Sequence, residues 1–132
     1  MKSFLGLGRR AAWLALGVLS LSFGAASAAE EAGELAFNNA CRTCHSLKEG
    51  DNRLGPHLDG ILGREAGSIP GFAFSPSLKN SKIVWDEATL DQFIESPDSV
   101  VAGNRMKPYG GMASAEDRAA IVAYLKAQLG GN

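Results

Sequence analysis

Residues 38–47 read NNACRTCHSL and hold both cysteines of the 132-residue chain, together with one of its two histidines. Cys41 and Cys44 are three positions apart, and His45 follows the second cysteine directly. This spacing is compatible with half of a zinc site, with a redox-active disulfide, or with the attachment of a covalent haem. The three possibilities make different demands on the rest of the chain.

The N-terminal segment is typical of an export signal. The first ten residues, MKSFLGLGRR, are basic, and an uncharged run follows from Ala11 to Ala29. The apolar part of this run is about fifteen residues, shorter than the roughly twenty that span a bilayer. It ends in small residues that fit an A-x-A cleavage site at 26–28. The pattern predicts a cleaved secretory signal peptide over 1–28 and a periplasmic domain over 29–132. An uncleaved membrane anchor is the alternative.

The predicted mature domain is small and acidic. It holds all fourteen acidic residues of the chain and ten of its thirteen basic ones. It contains no basic run, which argues against nucleic-acid binding, because phosphate neutralisation needs clustered Lys and Arg. Its seven aromatic residues make a thin core for this length. Small domains of this kind often depend on a disulfide, a metal or a cofactor, and a large flat cofactor would supply the missing apolar volume.

The context of the cysteine motif favours haem attachment. A CxxC disulfide closes a very small loop and is mostly a redox motif in a βαβ setting, but no strand-like run flanks this one. Structural zinc needs four ligands, and His57 lies at a spacing that zinc sites do not use. C-x-x-C-H in an exported chain therefore predicts one haem c. Cys41 and Cys44 would bind it covalently as thioethers, with His45 as the proximal iron ligand.

The sixth coordination position of the iron, opposite His45, is either filled by a second side chain or open. A thioether suits a low-spin electron-transfer haem, and Met106 lies in the loop-like segment AGNRMKPYGGM. Met112, at the end of the same segment, is the alternative ligand. His57 follows His45 by only twelve residues, and we expect it to be a surface histidine.

Local patterns predict three main helices and no strand. The first covers 31–43, with Leu35 and Phe37 as its bulky apolar members. Within it, Gly33 would allow another helix to approach closely. The second runs from an N-cap at Asp86 to Glu95 and places three apolar residues on one face: Leu90, Phe93 and Ile94.

The last predicted helix begins at SAED, residues 114–117, which has the spacing of a capping box. It carries an apolar stripe at helical spacing: Ile121, Tyr124, Leu125, Gln128 and Leu129. A short helix is predicted to start at SPS, residues 75–77, where a serine cap precedes a proline.

Six stretches, in order and with their spacing, resemble a class I cytochrome c of the mitochondrial and bacterial c2 types. They cover essentially all of residues 30–130 and read GELAFNNACRTCH, LGPHLDGILGREAG, PGFAFS, IVWDEATLDQFIESP, GNRM and EDRAAIVAYLK. The resemblance implies an all-α, small cytochrome c fold. About three main helices, short helices and Ω-type loops would wrap around one covalent haem.

The resemblance also implies roles for particular residues. Met106 would be the distal iron ligand, and the Pro56 carbonyl would accept a hydrogen bond from the His45 ring and so orient it. Phe93 would lie against the haem near Met106. The haem propionates would be approached by three further side chains: Arg64, Ser75 and Trp85.

Some positions depart from the resemblance. Phe74 stands where relatives often have a tyrosine that bonds a propionate. Mitochondrial relatives carry many lysines around the exposed haem edge, and these steer them to acidic partners. In this chain, the basic residues that are evident near the haem edge are Lys48, Arg105 and Lys107. We therefore expect a weaker or differently shaped docking patch, and a partner that is not strongly acidic.

Together these features predict a monomeric electron carrier of the bacterial periplasm and not an enzyme. It would pass single electrons between redox proteins, such as a dehydrogenase, a bc1-type complex, a terminal oxidase or a reaction centre, with only peripheral contact to membrane complexes. One alternative is a haem subunit of a periplasmic dehydrogenase complex, which would need a large apolar interface. Another is a gas- or peroxide-binding haem protein with an open sixth position.

Overall fold

The computed structural model describes residues 24–128. Within them the chain forms five helices, α1 Gly24–Ala40, α2 Pro76–Asn80, α3 Glu87–Glu95, α4 Pro97–Val100 and α5 Ala115–Gln128. The same residues contain no named strand, only an isolated antiparallel bridge between Glu65 and Val84. The all-α prediction is confirmed. Most of the predicted signal peptide, residues 1–23, lies outside the described part of the chain.

The long helices α1 and α5 cross at Gly33. A Cβ atom on this residue would lie 2.6 Å from the Ala120 carbonyl oxygen and 2.8 Å from the Tyr124 Cβ. One turn further along α1, the Phe37 ring packs against the Tyr124 ring, with centroids 5.7 Å apart. The predicted close approach at Gly33 is therefore confirmed.

The first helix differs from its predicted bounds at both ends, and it begins at Gly24 instead of residue 31. Leu35 is 61% exposed, because Gly33 and Phe37 face α5 and a residue midway between them lies about 200° around the helix. The helix also ends at Ala40 and does not continue to 43. The amides of Cys41 and Arg42 both donate to the Phe37 carbonyl, which tightens the chain into a turn at the cysteine motif.

Helix α3 begins as its sequence predicts. Asp86 is the N-cap, its side chain accepts from the Thr89 amide, and the Thr89 hydroxyl accepts from the Asp86 amide in return. The three predicted core residues of this helix are all buried. Pro97 follows the end of α3 and starts the short helix α4, where its missing N–H costs no hydrogen bond.

Helix α5 is capped at Ser114, whose hydroxyl accepts from the Asp117 amide at 3.2 Å. Ile121 and Leu125 are buried as predicted, whereas Gln128 is exposed. Leu129, the last member of the predicted stripe, lies beyond the described residues. Two unpredicted residues, Arg118 and Val122, are also buried, so the contact face of α5 is wider than the stripe.

The short helix α2 starts at its predicted cap, where the Ser75 hydroxyl accepts from the Leu78 amide at 3.1 Å. Between α1 and α2 the chain runs through residues 41–75 without a helix. In the described range of the chain, no helix has the length and hydropathy needed to cross a membrane.

Candidate functional site

A cavity of about 310 Å³ lies between the loops of the molecule and helices α3 and α5. Its lining is predominantly apolar. The structure brings together here every residue that the sequence placed at a haem: Cys41, Cys44, His45, Pro56, Arg64, Ser75, Trp85, Phe93 and Met106. Met112, the alternative iron ligand, is not part of this lining.

The cysteine motif forms one tight turn after α1. The amides of Cys44 and His45 both donate to the Cys41 carbonyl, at 3.1 and 2.9 Å. The turn is tied to the next loop by the Gly55 amide, which donates to the Cys44 carbonyl at 2.8 Å. Burial, with Cys44 close by, raises the pKa of the Cys41 thiol to about 11, so this thiol is neutral at pH 7.

His45 is oriented through one of its ring nitrogens. Its Nδ1 lies 2.7 Å from the Pro56 carbonyl oxygen. A carbonyl only accepts, so Nδ1 carries the proton and Nε2 keeps a lone pair that can bind a metal. Burial is the main cause that lowers the pKa of His45; the Pro56 bond opposes this shift, and the Arg64 charge adds to it. The imidazole is therefore a neutral donor at pH 7.

The backbone of Gly55 lies directly against the His45 ring and restricts its position. A Cβ atom on Gly55 would overlap the His45 ring. Only glycine lets the backbone approach this closely, so the backbone itself forms the wall behind the imidazole. The Gly55 carbonyl also accepts from the Arg53 amide at 2.9 Å, which fixes the loop further.

Met106 reaches the cavity from the loop after α4. Its amide donates to the Asn104 Oδ1 at 2.9 Å. The Asn104 side chain is buried and donates in turn to the Val101 carbonyl at 2.9 Å and to Asp98 at 2.8 Å. The Met112 amide donates to the Ile94 carbonyl. Both methionines pack against the hydrophobic core, but Met112 does not line the cavity.

Arg64 brings a positive charge into the apolar lining. Its guanidinium donates to the carbonyls of Asp59 at 2.8 Å and His57 at 3.0 Å. Burial is the main cause that lowers the pKa of Arg64, so an anionic group beside it would be favoured. Trp85 is held next to it, because the Trp85 amide donates to the Arg64 carbonyl at 2.9 Å.

Two aromatic residues and a serine complete the predicted set. The Trp85 and Phe93 rings pack at 5.0 Å between centroids and are both buried. The Ser75 hydroxyl already caps α2 and lies 3.0 Å from the Ser77 hydroxyl. Either hydroxyl can be the donor in this contact, and if Ser77 donates to Ser75, the Ser75 proton stays available for a propionate.

The prediction of a surface position for His57 is wrong. This residue is 9% exposed, and its Nδ1 has no hydrogen-bond partner. Its backbone explains the burial. The His57 amide donates to the Asn52 side chain at 3.0 Å, and its carbonyl accepts from Arg64. These two backbone bonds hold residue 57 in a buried position, and they do not involve the imidazole.

Several cavity residues were missed by sequence reasoning. Phe72 and Tyr109 line the cavity from loops, and an aromatic residue inside a Gly-rich or Pro-containing segment was an available signal for both. Burial raises the pKa of the Tyr109 hydroxyl to about 12. Three further apolar members, Leu58, Ile61 and Leu78, have no distinctive signal in the sequence. Four others belong to the apolar faces predicted for α3 and α5: Leu90, Ile94, Ile121 and Leu125.

The lining fits a covalently attached haem. Apolar walls match the flat face of a macrocycle, two thiols stand beside a neutral imidazole donor, and a partly buried guanidinium can meet a carboxylate. The zinc alternative lacks a ligand set, because the described residues contain no group of three or more His, Cys, Asp or Glu that could hold a metal ion.

Comparison with known proteins gives consistent matches. A family model described as "Cytochrome C oxidase, cbb3-type, subunit III" matches residues 28–125. Cytochrome c of Euglena viridis is 40% identical over 96 residues, which cover 73% of this chain and 93% of that protein. Cytochrome c2 iso-2 of Magnetospirillum fulvum is 43% identical over 86 residues, covering 65% of this chain and 88% of the relative.

A solved structure is similar as well. Cytochrome cH from Methylobacterium extorquens superposes with a TM-score of 0.67 at 38% sequence identity. The match covers 74% of this chain and 97% of the other.

Proposed function

Since the chain belongs to the class I cytochrome c family, we propose that it is a periplasmic carrier that passes single electrons between redox proteins through a haem ligated by His45 and Met106. The cofactor is one covalent haem c, for which Cys41 and Cys44 form the attachment motif. Cytochromes c and c2 are electron carriers, and the periplasmic location and the ligand pair are the proposed part.

The observation that carries the proposal is the arrangement of two iron donors in one apolar cavity. His45 comes from the loop after α1 and is fixed by Pro56, whereas Met106 comes from the loop after α4 and is fixed by Asn104. A neutral imidazole and a thioether suit a low-spin iron that exchanges electrons without exchanging ligands.

When bound, the haem supplies a one-electron ferrous/ferric couple. The surrounding residues orient the iron ligand, exclude water and balance charge around this couple. The His45–Pro56 bond holds the imidazole in one tautomer and orientation, and the apolar walls keep water away. Arg64 offsets negative charge at the propionates in a partly buried position. A rigid, dry site changes little when charge enters or leaves, so electron transfer needs little reorganisation.

The absence of enzymatic activity is part of the same proposal. It rests on the relatives, which are named as cytochromes c and c2. A second reacting molecule would need a free sixth position on the iron, which Met106 is proposed to occupy.

The exported holoprotein tests this proposal directly. We expect its intact mass to equal residues 29–132 plus one haem, because the predicted signal peptide ends at Ala28 and both thiols bind the cofactor. Size-exclusion chromatography is expected to show a monomer. Retention of residues 1–28 would support a membrane anchor instead, and co-purification with a stable enzyme partner would support the subunit alternative.

Optical spectra of the same sample test the ligand pair. The oxidised protein is expected to show a weak near-infrared sulfur-to-iron band, and the reduced protein is expected to resist carbon monoxide. If that band is missing and the reduced protein binds carbon monoxide readily, the sixth position is open. The gas- or peroxide-binding alternative would then replace the carrier.

Of the three basic residues expected near the exposed haem edge, Lys107 is neutralised by an ion pair, whereas Lys48 and Arg105 form none with the described residues. Lys107 lines the cavity and is paired with Asp98 at 2.5 Å, while Arg105 lies next to it on the exposed side of the loop. An exposed ion pair offers a partner less net charge than a lysine without a counterion. This supports the proposal of a partner that is not strongly acidic.

We therefore expect the rate of electron transfer with the natural partner to depend weakly on ionic strength. Stopped-flow rates measured between about 0.01 and 0.3 M salt would show a decrease of only a few fold, because screening acts on exposed charges. Asp98→Asn frees Lys107 and serves as the matched variant, in which the salt dependence should steepen. A steep dependence in the unaltered protein would contradict the proposal.

A further inference from the structure

The segment that follows Met106 is attached to the end of helix α3. The Tyr109 hydroxyl donates to the Ile94 carbonyl at 2.7 Å, and the Met112 amide donates to the same carbonyl at 3.0 Å. Between them, Gly111 has a positive φ of 114°, and a Cβ there would overlap the Glu95 carbonyl. The segment therefore lies flat against the last turn of α3.

Arg118 of helix α5 binds the C-terminal end of the same segment. Its side chain is only 8% exposed. Its Nη1 donates to the carbonyls of Met112 at 2.9 Å and Ala113 at 3.0 Å, and its Nε donates to Asp91 at 3.0 Å. Its Nη2 lies 3.7 Å from a Glu95 carboxylate oxygen.

These contacts make one guanidinium the junction of three parts of the molecule. It extends from α5, pairs with two carboxylates of α3, and binds two successive carbonyls of the loop that carries Met106. The planar fork of arginine has donors in several fixed directions and can satisfy all of these acceptors at once. Breaking one partner of such a buried charge is costly, so the junction is rigid.

Met106 itself has few local anchors. Its amide bond to Asn104 holds the N-terminal side of the loop. On the C-terminal side, the bonds that fix the loop are those to the Ile94 carbonyl and to Arg118. The residues from 101 to 114 contain no helix of their own, so the loop is held by these attachments together with the exposed ion pair between Lys107 and Asp98.

We propose that Arg118 is a positioning residue that holds the Met106 loop against α3 and thereby keeps the thioether at the iron. This inference rests on the proposed function, since it takes Met106 as the distal ligand. Arg118 does not line the haem cavity and acts through the loop carbonyls. Loss of its fork is expected to let the loop detach while the helices stay folded.

The test compares two variants of the holoprotein. Arg118→Lys keeps a positive charge near Asp91 and Glu95 but cannot reach all four acceptors, because an ammonium group is a compact point charge. Lys126→Gln is the control: Lys126 lies on the same helix and makes an exposed ion pair with Glu87 at 2.6 Å. That pair touches neither the loop nor the cavity.

Urea titrations followed at two signals separate a positioning role from a merely structural one. The near-infrared sulfur-to-iron band reports the methionine bond, and far-ultraviolet circular dichroism reports the helices. In Arg118→Lys we expect the band to be lost at a lower urea concentration than the helical signal, with the gap wider than in the wild type by about 1 M. Carbon monoxide binding to the reduced variant should be about tenfold faster, because the open loop is more populated. Lys126→Gln should match the wild type in both respects.

The outcomes distinguish the two proposals. If the wild type has the band and Arg118→Lys loses band and helices together, with an unchanged carbon monoxide rate, Arg118 only stabilises the fold and the inference is overturned. If the wild type has no band, the Met106 assignment itself fails and this inference fails with it.

Discussion

Replacing Met106 with alanine is expected to abolish the near-infrared sulfur-to-iron band and to lower the reduction potential. Alanine has no donor atom, and a thioether raises the potential of a haem relative to most other sixth ligands. The decrease should be a few tenths of a volt, within the span of about 0.8 V over which axial ligands set haem potentials. Spectra of the oxidised variant and a potentiometric titration measure both effects.

Met112→Ala is the matched control, because it removes the other methionine of the same loop. Met112 packs against the core and does not line the cavity, so the band and the potential should remain close to those of the wild type. Stability should fall, since a partly buried methionine side chain is removed. The reverse pattern, with the band lost in Met112→Ala alone, would assign the iron ligand to Met112.

Gly33→Val is expected to destabilise the protein by roughly 2–3 kcal/mol, at the upper end of the typical cost of overpacking. The first atom of any side chain at this position would already lie 2.6 Å from the Ala120 carbonyl oxygen. Backbone cannot move aside as a flexible side chain can, so α1 and α5 must separate. For a domain of this size the melting temperature should fall by roughly 10 °C or more. Thermal unfolding of the holoprotein followed by circular dichroism measures it.

Ala32→Val provides the comparison at a neighbouring position of the same helix. Ala32 is exposed, so its side chain can grow into solvent and the variant loses only helix propensity, by a few tenths to about 0.7 kcal/mol. The difference in melting temperature between the two variants measures the effect of overpacking the contact between α1 and α5. Equal melting temperatures for both would show that α1 and α5 do not pack as closely as described.

Local sequence signals predicted the start of a helix where a capping residue or a proline marks it. Asp86 with Thr89 predicted the start of α3, and Ser75 with Pro76 predicted the start of α2, because caps and prolines act on their immediate neighbours. The outward orientation of Leu35, a bulky apolar member of α1, had no such local signal. Which side of α1 faces the core depends on where α5 lies, and α5 begins some eighty residues later.

Burial of polar residues was the weakest part of the prediction. His57 is a histidine in a Gly- and Pro-containing segment, and its type and position favoured the surface. The fold buries it through its backbone bonds to Asn52 and Arg64. Arg118 was not singled out at all, since an arginine between two alanine-rich turns has no local mark of burial. Its role emerges only once α3 and the Met106 loop lie beside it.

What the sequence by itself determined is the chemistry of the site. The spacing of Cys41, Cys44 and His45 predicts covalent haem attachment, because the two thiols and the imidazole of the motif are neighbours in the chain. Only the tertiary structure decided which methionine lines the cavity and what holds it there. Met106 and Met112 are six residues apart in one loop, and the sequence favoured Met106 but left Met112 as an alternative. In the structure both methionines pack against the core, but of the two Met106 alone lines the cavity. The Met112 amide and carbonyl are bonded over long range to Ile94 and Arg118.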